Sequence, residues 1–277
     1  MKISKLFFTA FSVAVLLFSI GPMQADEAEA YKYAVQGREA AKNKEWDKAI
    51  DYFKKAVAAD PKQANNYINL GLAYKGAGKT DQAIKAFSDA LGKEPENAAA
   101  YMNRGIAYVA AQKYDKAIED LTRAIKQNSN NVAAHRFRAF AYLQTKDYQK
   151  AVEDYEIVLK EKANDDPILD RRAFAYWNMG QYEKAIADYS QIIKDNPKDN
   201  NAYLHRSYVY ELSKDYEKGL ADTEKVLSVD PNNEEAKLRK ARLEYHLKQA
   251  NATPTPTPRP RRYMSPEPTP TPRPKQP

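Results

Sequence analysis

The sequence contains no cysteine among its 277 residues. Disulfide bonds and thiolate metal sites are therefore excluded, and so is a lipid anchor attached through a cysteine. Glycine is scarce, at 9 residues, which argues against a sheet protein with many tight turns. Tyrosine is abundant, at 20 residues. This composition indicates a tyrosine-rich helical protein.

Arrangements of residues that support catalysis are missing as well. No glycine-rich phosphate loop occurs, and no serine has a plausible general base beside it. The three histidines, His135, His205 and His246, do not have the spacing of metal ligands. We therefore predict that the protein is not an enzyme and that it uses no cofactor or metal ion.

Long apolar runs are limited to the N-terminus. Lys2 and Lys5 precede an apolar stretch over residues 6–20, Gly21 and Pro22 interrupt it, and Ala25 offers a small residue for cleavage. The stretch is shorter than the ~20 residues that a membrane-spanning helix needs. We predict a signal peptide over 1–25, a short linker over 26–29, and export to the periplasm or the medium. An uncleaved N-terminal anchor is the alternative.

Excess positive charge is confined to the two ends of the chain, so the body is close to neutral. A neutral body does not favour nucleic-acid binding. Residues 251–277 alternate proline with threonine and arginine, which prevents helix and ladder formation. We predict a disordered spacer there, with contact to an anionic surface or to a proline-binding domain as alternatives. Its charged residues are Arg259, Arg261, Arg262, Glu267, Arg273 and Lys275.

The body of the chain has a period of 34 residues. One series that recurs at this spacing comprises Tyr74, Tyr108, Tyr142, Tyr176 and Tyr210. A second comprises Ala49, Ala83, Ala117, Ala151 and Ala185, and Gly219 completes it. Interlocked series at one spacing indicate that a single structural unit is repeated.

The copy at residues 64–97 shows what this unit is. Its recurring residues are Tyr67, Leu70, Gly71 and Tyr74, followed by Ala83, Phe87, Ala90 and Pro95. They form two apolar faces at helical spacing. Gly71 and Ala83 are small and allow the two helices to approach closely, and Pro95 ends the unit. One such pair has too little core to fold alone, so the copies are expected to stack.

This pattern resembles the tetratricopeptide repeat. The resemblance implies an all-α, right-handed α-solenoid over residues 30–250, with six helix-turn-helix repeats and a polar C-terminal capping helix at 234–249. The predicted repeats are 30–63, 64–97, 98–131, 132–165, 166–199 and 200–233. His135 occupies a place that is tyrosine in four other copies, and we interpret it as a core residue.

Arginine and aspartate form two further series in the last four copies. The pairs, each sixteen residues apart, are Arg104 with Asp120, Arg138 with Asp154, Arg172 with Asp188, and Arg206 with Asp222. In the first two copies both partners are absent: Gln36 and Tyr52 replace them in one, Leu70 and Ala86 in the other. We predict structural ion pairs between sister helices. An anion site is the functional alternative, and pairing with the following copy would leave Arg104 alone.

The resemblance also implies that the first helix of each pair lines a concave groove that binds a partner peptide. The residues expected at the groove are Asn69, Asn103, Arg136, Phe137, Phe140, Arg171, Phe174, Trp177, His205 and Tyr208. Amides can read a peptide main chain, and aromatic rings with arginines suit an apolar or acidic segment. Packing of the aromatic residues between neighbouring helices is the alternative.

One groove of this family holds a C-terminal carboxylate with cations and an asparagine, and this chain departs from that pattern. Only Asn69 matches, because Ala34, Ala99 and Asn103 stand where cations are needed. We therefore predict a different protein or peptide partner for an envelope or secreted scaffold. The alternative is a structural envelope component that contacts wall, lipid or surface polymer. Membrane contact is expected only through the signal or an uncleaved anchor.

Overall fold

The structure is a computed structural model that describes residues 25–252. The predicted cleavage region before residue 25 and the tail beyond residue 252 lie outside the described residues. Within them the chain forms thirteen helices and no strand. The helices are α1 Ala25–Lys42, α2 Trp46–Ala59, α3 Ala64–Gly76, α4 Thr80–Lys93, α5 Ala98–Ala110, α6 Tyr114–Gln127, α7 Val132–Gln144, α8 Tyr148–Glu161, α9 Asp166–Asn178, α10 Tyr182–Asp195, α11 Asn200–Leu212, α12 Tyr216–Val229 and α13 Glu234–Asn251.

Each odd-numbered helix up to α11 pairs with the even-numbered helix that follows it, and we call them the first and second helices of a repeat. Consecutive helices pack against one another along the whole chain, and α13 covers the last pair. This arrangement confirms the predicted α-solenoid of six helix pairs with a terminal capping helix. No helix in the described part of the chain is both long enough and apolar enough to cross a membrane.

The turn inside each repeat uses one residue with positive φ. These residues recur at the 34-residue period, and they are Lys44, Gly78, Gln112, Lys146, Gly180 and Lys214. Only two are glycine, although a left-handed conformation is strained for other residues. The hydrogen bond that follows each of them, such as Glu45 N–H to Ala40 O at 2.9 Å, closes the turn.

Close approach of the two helices depends on a small residue opposite a large one. A Cβ built on Gly71 would lie 2.5 Å from the Phe87 ring, and one on Gly37 would lie 2.6 Å from the Phe53 ring. Both phenylalanines are buried. These glycines are therefore required by packing, because the ring fills the space that a side chain would need.

Two helix boundaries in the structure differ from the predicted ones. Residues 26–29, predicted as a linker, belong to α1, which begins at Ala25. Asp26 and Glu27 lie in its first turn, where carboxylates stabilise a helix terminus, and no glycine or proline interrupts the segment. At the other end α13 continues to Asn251, two residues beyond the predicted end of the capping helix, so the tail starts later.

The stack is curved towards its first helices. Neighbouring first helices contact each other at α1–α3, α3–α5 and α5–α7, and α11 contacts α13. No contact of that extent joins two second helices among residues 25–252. Because the first helices are closer together, their exposed side forms the concave face of the solenoid.

Candidate groove of the concave face

One register position on the first helices carries an apolar side chain in five consecutive repeats. We call this series the groove ladder: Leu72, Ile106, Phe140, Phe174 and Tyr208. Leu72 is 36% exposed and Phe174 is 38% exposed, while the other three are half-buried. Arginine occupies the same register in the helices at both ends, as Arg38 and Arg242. The concave face therefore carries a continuous apolar line with a cation at each end.

The later part of the ladder belongs to a connected set of rings. The ring centroids of Phe174 and Trp177 are 4.9 Å apart, and those of Trp177 and Tyr208 are 5.2 Å apart. The Arg171 guanidinium lies 5.2 Å from the centroid of the Phe140 ring. The contacts of Trp177 with Tyr208 and of Arg171 with Phe140 join neighbouring first helices, so these rings contribute to packing between repeats. We call Phe140, Phe174, Trp177 and Tyr208 the aromatic strip.

The polar residues predicted beside this strip differ in their surroundings. Arg136 is exposed, and Phe137 is half-buried against an apolar cluster with Leu121. His205 Nδ1 is 3.0 Å from Asp170 Oδ1, across the junction between the last two repeats. Arg136 and Arg171 therefore supply positive charge beside the rings, whereas His205 is held by a neighbouring carboxylate.

The early part of the groove is polar. A pocket of about 430 Å³ between α1 and α3 is lined by residues that include Tyr31, Ala34, Arg38, Asn65 and Asn69. A smaller pocket of about 250 Å³ lies at the equivalent place between α9 and α11, where Asp170 holds the register of Ala34. Asn69 is half-buried and lines the larger pocket, as expected for a groove residue.

Asn103 is less accessible than the sequence suggested. The residue is buried, and its Nδ2 donates to the carbonyl oxygen of Ala99 in its own helix at 2.8 Å. The amide that was expected to face a ligand is therefore partly used within α5. Asn66, which the sequence did not single out, is also buried and donates to Ala56 O and Asp60 O at the repeat junction.

All four arginines of the recurring series contact the aspartate on the sister helix. Arg104 donates through Nε at 2.7 Å and Nη2 at 2.9 Å to the two oxygens of Asp120. The same two-bond geometry, at 2.7 to 2.9 Å, joins Arg138 with Asp154, Arg172 with Asp188, and Arg206 with Asp222. All four carboxylates are buried. These guanidinium groups hold the helix pairs together and do not form an open anion site.

Burial has a cost for these carboxylates. It raises the pKa of Asp188, although the hydrogen bonds from Arg172 act in the opposite direction. A third nitrogen of most of the arginines reaches the preceding second helix, as in the contact of 3.0 Å from Arg104 Nη1 to Ser88 Oγ. Each such arginine therefore links a repeat to the one before it as well as closing its own helix pair.

His135 is buried within this network. Its Nδ1 is 2.6 Å from Asp154 Oδ1, and its Nε2 is 3.0 Å from the Ser129 carbonyl oxygen. In the second repeat the hydroxyl of Tyr67 donates to the equivalent carbonyl, that of Pro61, at 3.1 Å. His135 thus takes over the role of the tyrosine at the repeat junction and adds a contact with the buried carboxylate.

The sequence reasoning missed the aliphatic half of the ladder and the wall of the early pocket. Leu72 and Ile106 precede Phe140 at the same 34-residue spacing that identified the repeats, so the signal was present. In the described part of the chain, no group of three histidine, aspartate or glutamate side chains is arranged to hold a metal ion.

The family profile named Tetratricopeptide repeat matches residues 68–118, 103–167 and 171–228, together more than half of the chain. The chain therefore belongs to the tetratricopeptide repeat family. Curated protein sequences give no significant match.

Solved structures show the same fold. YrrB, a TPR protein with an unusual peptide-binding site, is 19% identical, with a TM-score of 0.64 over 68% of this chain and 97% of its own. Pseudomonas aeruginosa PilF is 17% identical, with a TM-score of 0.61 over 78% and 99%. MamA is 24% identical, with a TM-score of 0.57 over 62% and 94%. At these identities the likeness establishes the solenoid and nothing about a shared partner.

Proposed function

We propose that the protein is a non-enzymatic binding scaffold that holds a segment of another protein along its concave groove. Membership of the tetratricopeptide repeat family supports a role in protein–protein interaction. The observation that carries the proposal is the groove ladder, because it recurs on five helices and remains accessible where a core residue would be covered. A contiguous apolar surface of this kind on a solvent-exposed face marks a binding site.

The chemistry of the groove indicates the character of the bound segment. Apolar side chains of the partner would be buried against Leu72, Phe140 and Phe174, which supplies most of the binding free energy. Arg136 and Arg171 lie beside the aromatic strip and favour acidic residues in the partner. An apolar segment with acidic neighbours therefore fits the later half, and the amides of the early pocket suit a polar stretch of main chain.

The place of action belongs to the same proposal. The lysines and the apolar stretch before residue 21 support export, so the scaffold would work in the cell envelope or outside the cell. A fusion of residues 1–25 to a reporter enzyme that is active only after export tests this directly. Activity outside the cytoplasm supports the assignment, and retention of the reporter in the cytoplasm overturns it.

Binding is tested by affinity capture from the source organism with matched variants. The groove variant combines Leu72→Ser with Phe174→Ser, because these are the two most exposed members of the ladder. Val229→Ser is the control, since it removes an exposed apolar side chain from a second helix. Circular dichroism should show equal helix content in all three proteins.

A partner that the wild type and the Val229→Ser control retain, and that the groove variant loses, supports the proposal. Equal recovery by all three proteins would place the partner elsewhere on the surface. Raising the salt concentration separates the groove from the basic tail, because apolar contacts persist while binding of polyanions through cations falls steeply.

A further inference from the structure

Most of the large apolar side chains that are exposed in the described part of the chain lie on the two end helices of the solenoid. Leu238 and Tyr245 on α13 are 72% and 60% exposed, and Tyr31 and Val35 on α1 are 62% and 42% exposed. They are four of the seven large apolar residues exposed in the described part of the chain, and two of the others belong to the groove ladder. An end that serves only as a solubilising cap is expected to be polar.

The exposed residues of α13 stand at positions that contact the next repeat elsewhere in the chain. Tyr245 lies two periods after Trp177, whose ring packs 6.2 Å from His205 and 5.2 Å from Tyr208 on the following first helix. Leu238 lies one period after Leu204, which is buried in a cluster with Ala236 of the next helix. No repeat follows α13 among the described residues, so nothing there covers Leu238 and Tyr245.

The exposed residues of α1 stand at the complementary positions. Val35 lies five periods before His205, and Arg38 lies five periods before Tyr208. Trp177 contacts both His205 and Tyr208. The helix α1 therefore carries the counterparts of those two residues, and α13 carries the counterpart of Trp177. No repeat precedes α1 among the described residues, and this face of α1 also has no partner there.

We propose that the face of α13 that carries Leu238 and Tyr245 docks against the face of α1 that carries Val35 and Arg38 in a second copy of the chain. Tyr245 of one copy then lies against Val35 and Arg38 of the next, as Trp177 lies against His205 and Tyr208 inside one chain. Arg38 can lie against the Tyr245 ring, an interaction that Arg239 already makes with the Tyr208 ring at 5.0 Å. The contact joins two different surfaces, so it propagates from head to tail and extends the groove from copy to copy.

The inference is independent of the partner in the groove, since it uses only the two end helices. It is tested by disulfide cross-linking, which the absence of native cysteine makes unambiguous. The full chain is prepared as two single variants, Val35→Cys and Tyr245→Cys, and one of them carries a mass tag. Lys85→Cys on the exposed face of α4 provides the matched control.

Under mild oxidation the mixture of Val35→Cys and Tyr245→Cys should give a cross-linked species with one copy of each. Each variant alone, and the mixture of Lys85→Cys with Tyr245→Cys, should stay at least tenfold lower in yield. Yields from one variant alone that match the mixture would indicate a symmetric contact and overturn the proposal. A mixture yield no higher than the Lys85→Cys control overturns it as well.

A second measurement avoids introduced cysteines. Sedimentation velocity of the wild-type full chain should show association that increases with protein concentration. Replacing the two exposed side chains by Leu238→Lys with Tyr245→Lys should lower the association constant at least tenfold without changing the circular dichroism spectrum. A wild type that remains monomeric at all concentrations, or a variant that associates equally well, contradicts head-to-tail docking.

Discussion

In the first two repeats, apolar or uncharged residues occupy the places that the last four fill with an arginine and an aspartate. Leu70 and Ala86 are both buried in the second repeat, whereas Arg104 and Asp120 form a two-bond ion pair in the third. The helices of the second and third repeats have the same lengths, 13 and 14 residues. The fold therefore accepts either an apolar contact or a complete ion pair, since each leaves no charge buried alone.

The two regions also differ on the concave face. The early groove combines Leu72 and Ile106 with a polar pocket, and the later groove has the aromatic strip flanked by arginines. In the later half, the contact between neighbouring first helices includes the rings of Trp177 and Tyr208, whose centroids are 5.2 Å apart. The helix-pair fold is the same in both regions, while the side chains on the concave face change along the stack.

The largest expected effect comes from breaking one ion pair in the later region. Asp120→Ala leaves Arg104 without its carboxylate in a partly buried place and should destabilise the protein by about 3 kcal/mol. The double variant Arg104→Leu with Asp120→Ala copies the second repeat and should recover most of that loss. Urea unfolding followed by circular dichroism measures both. Equal losses of stability in the single and double variants would show that the leucine and alanine of the second repeat cannot replace the ion pair of the third.

The next effect tests the glycine that the early repeats require. In Gly71→Ala the new Cβ would lie 2.5 Å from the buried Phe87 ring, so overpacking should cost about 1–3 kcal/mol. Gly92→Ala on α4 is the matched control, because nothing lies within 4 Å of its Cβ position. Since alanine favours helix over glycine, the control should gain up to about 1 kcal/mol. Thermal unfolding should give a lower midpoint than the wild type for Gly71→Ala and a higher one for Gly92→Ala.

Alkaline pH should lower the free energy of unfolding through a buried tyrosine of the fifth repeat. Burial, opposed by the Arg172 charge and reinforced by Glu156, raises the pKa of Tyr176 from 10.0 to about 12. The unfolded chain therefore loses this proton first, and stability falls as pH rises from about 10 to 12, by about 2 kcal/mol for this residue. Urea unfolding across that range measures the slope. Tyr176→Phe should reduce this slope without abolishing it, because burial also raises the pKa values of Tyr155 and Tyr189. An unchanged slope in the variant would assign the effect to those two groups.

The smallest effect is expected at the surface between the first two repeats. Lys79 Nζ is 2.9 Å from Asp47 Oδ1, and the aspartate side chain is almost fully exposed. Solvent screens such a pair, so Lys79→Ala should leave the unfolding midpoint unchanged within error. A clear loss of stability in Lys79→Ala, comparable with that of Asp120→Ala, would mean that exposed pairs also hold the repeats together.

Periodicity was enough to predict the helix pairs and the partners of the recurring arginines, because both follow from residues that repeat in one chain. It did not locate the start of α1, since Asp26 and Glu27 precede the first recurring residue. It did not indicate that the Asn103 amide donates to the Ala99 carbonyl oxygen, because register alone does not show the partners of a side chain. The early pocket is lined by side chains from α1 and α3 together, which only the packed structure shows.

The most direct test of the account is photo-cross-linking at single positions in cells of the source organism. A photoreactive phenylalanine analogue replaces Phe174 in the groove or, as the control, Lys116 on the second helix α6. The account predicts that the groove position captures a defined protein partner and that Lys116 does not. Capture of the same partner with equal yield from Lys116, or none from the groove position, would contradict a binding groove.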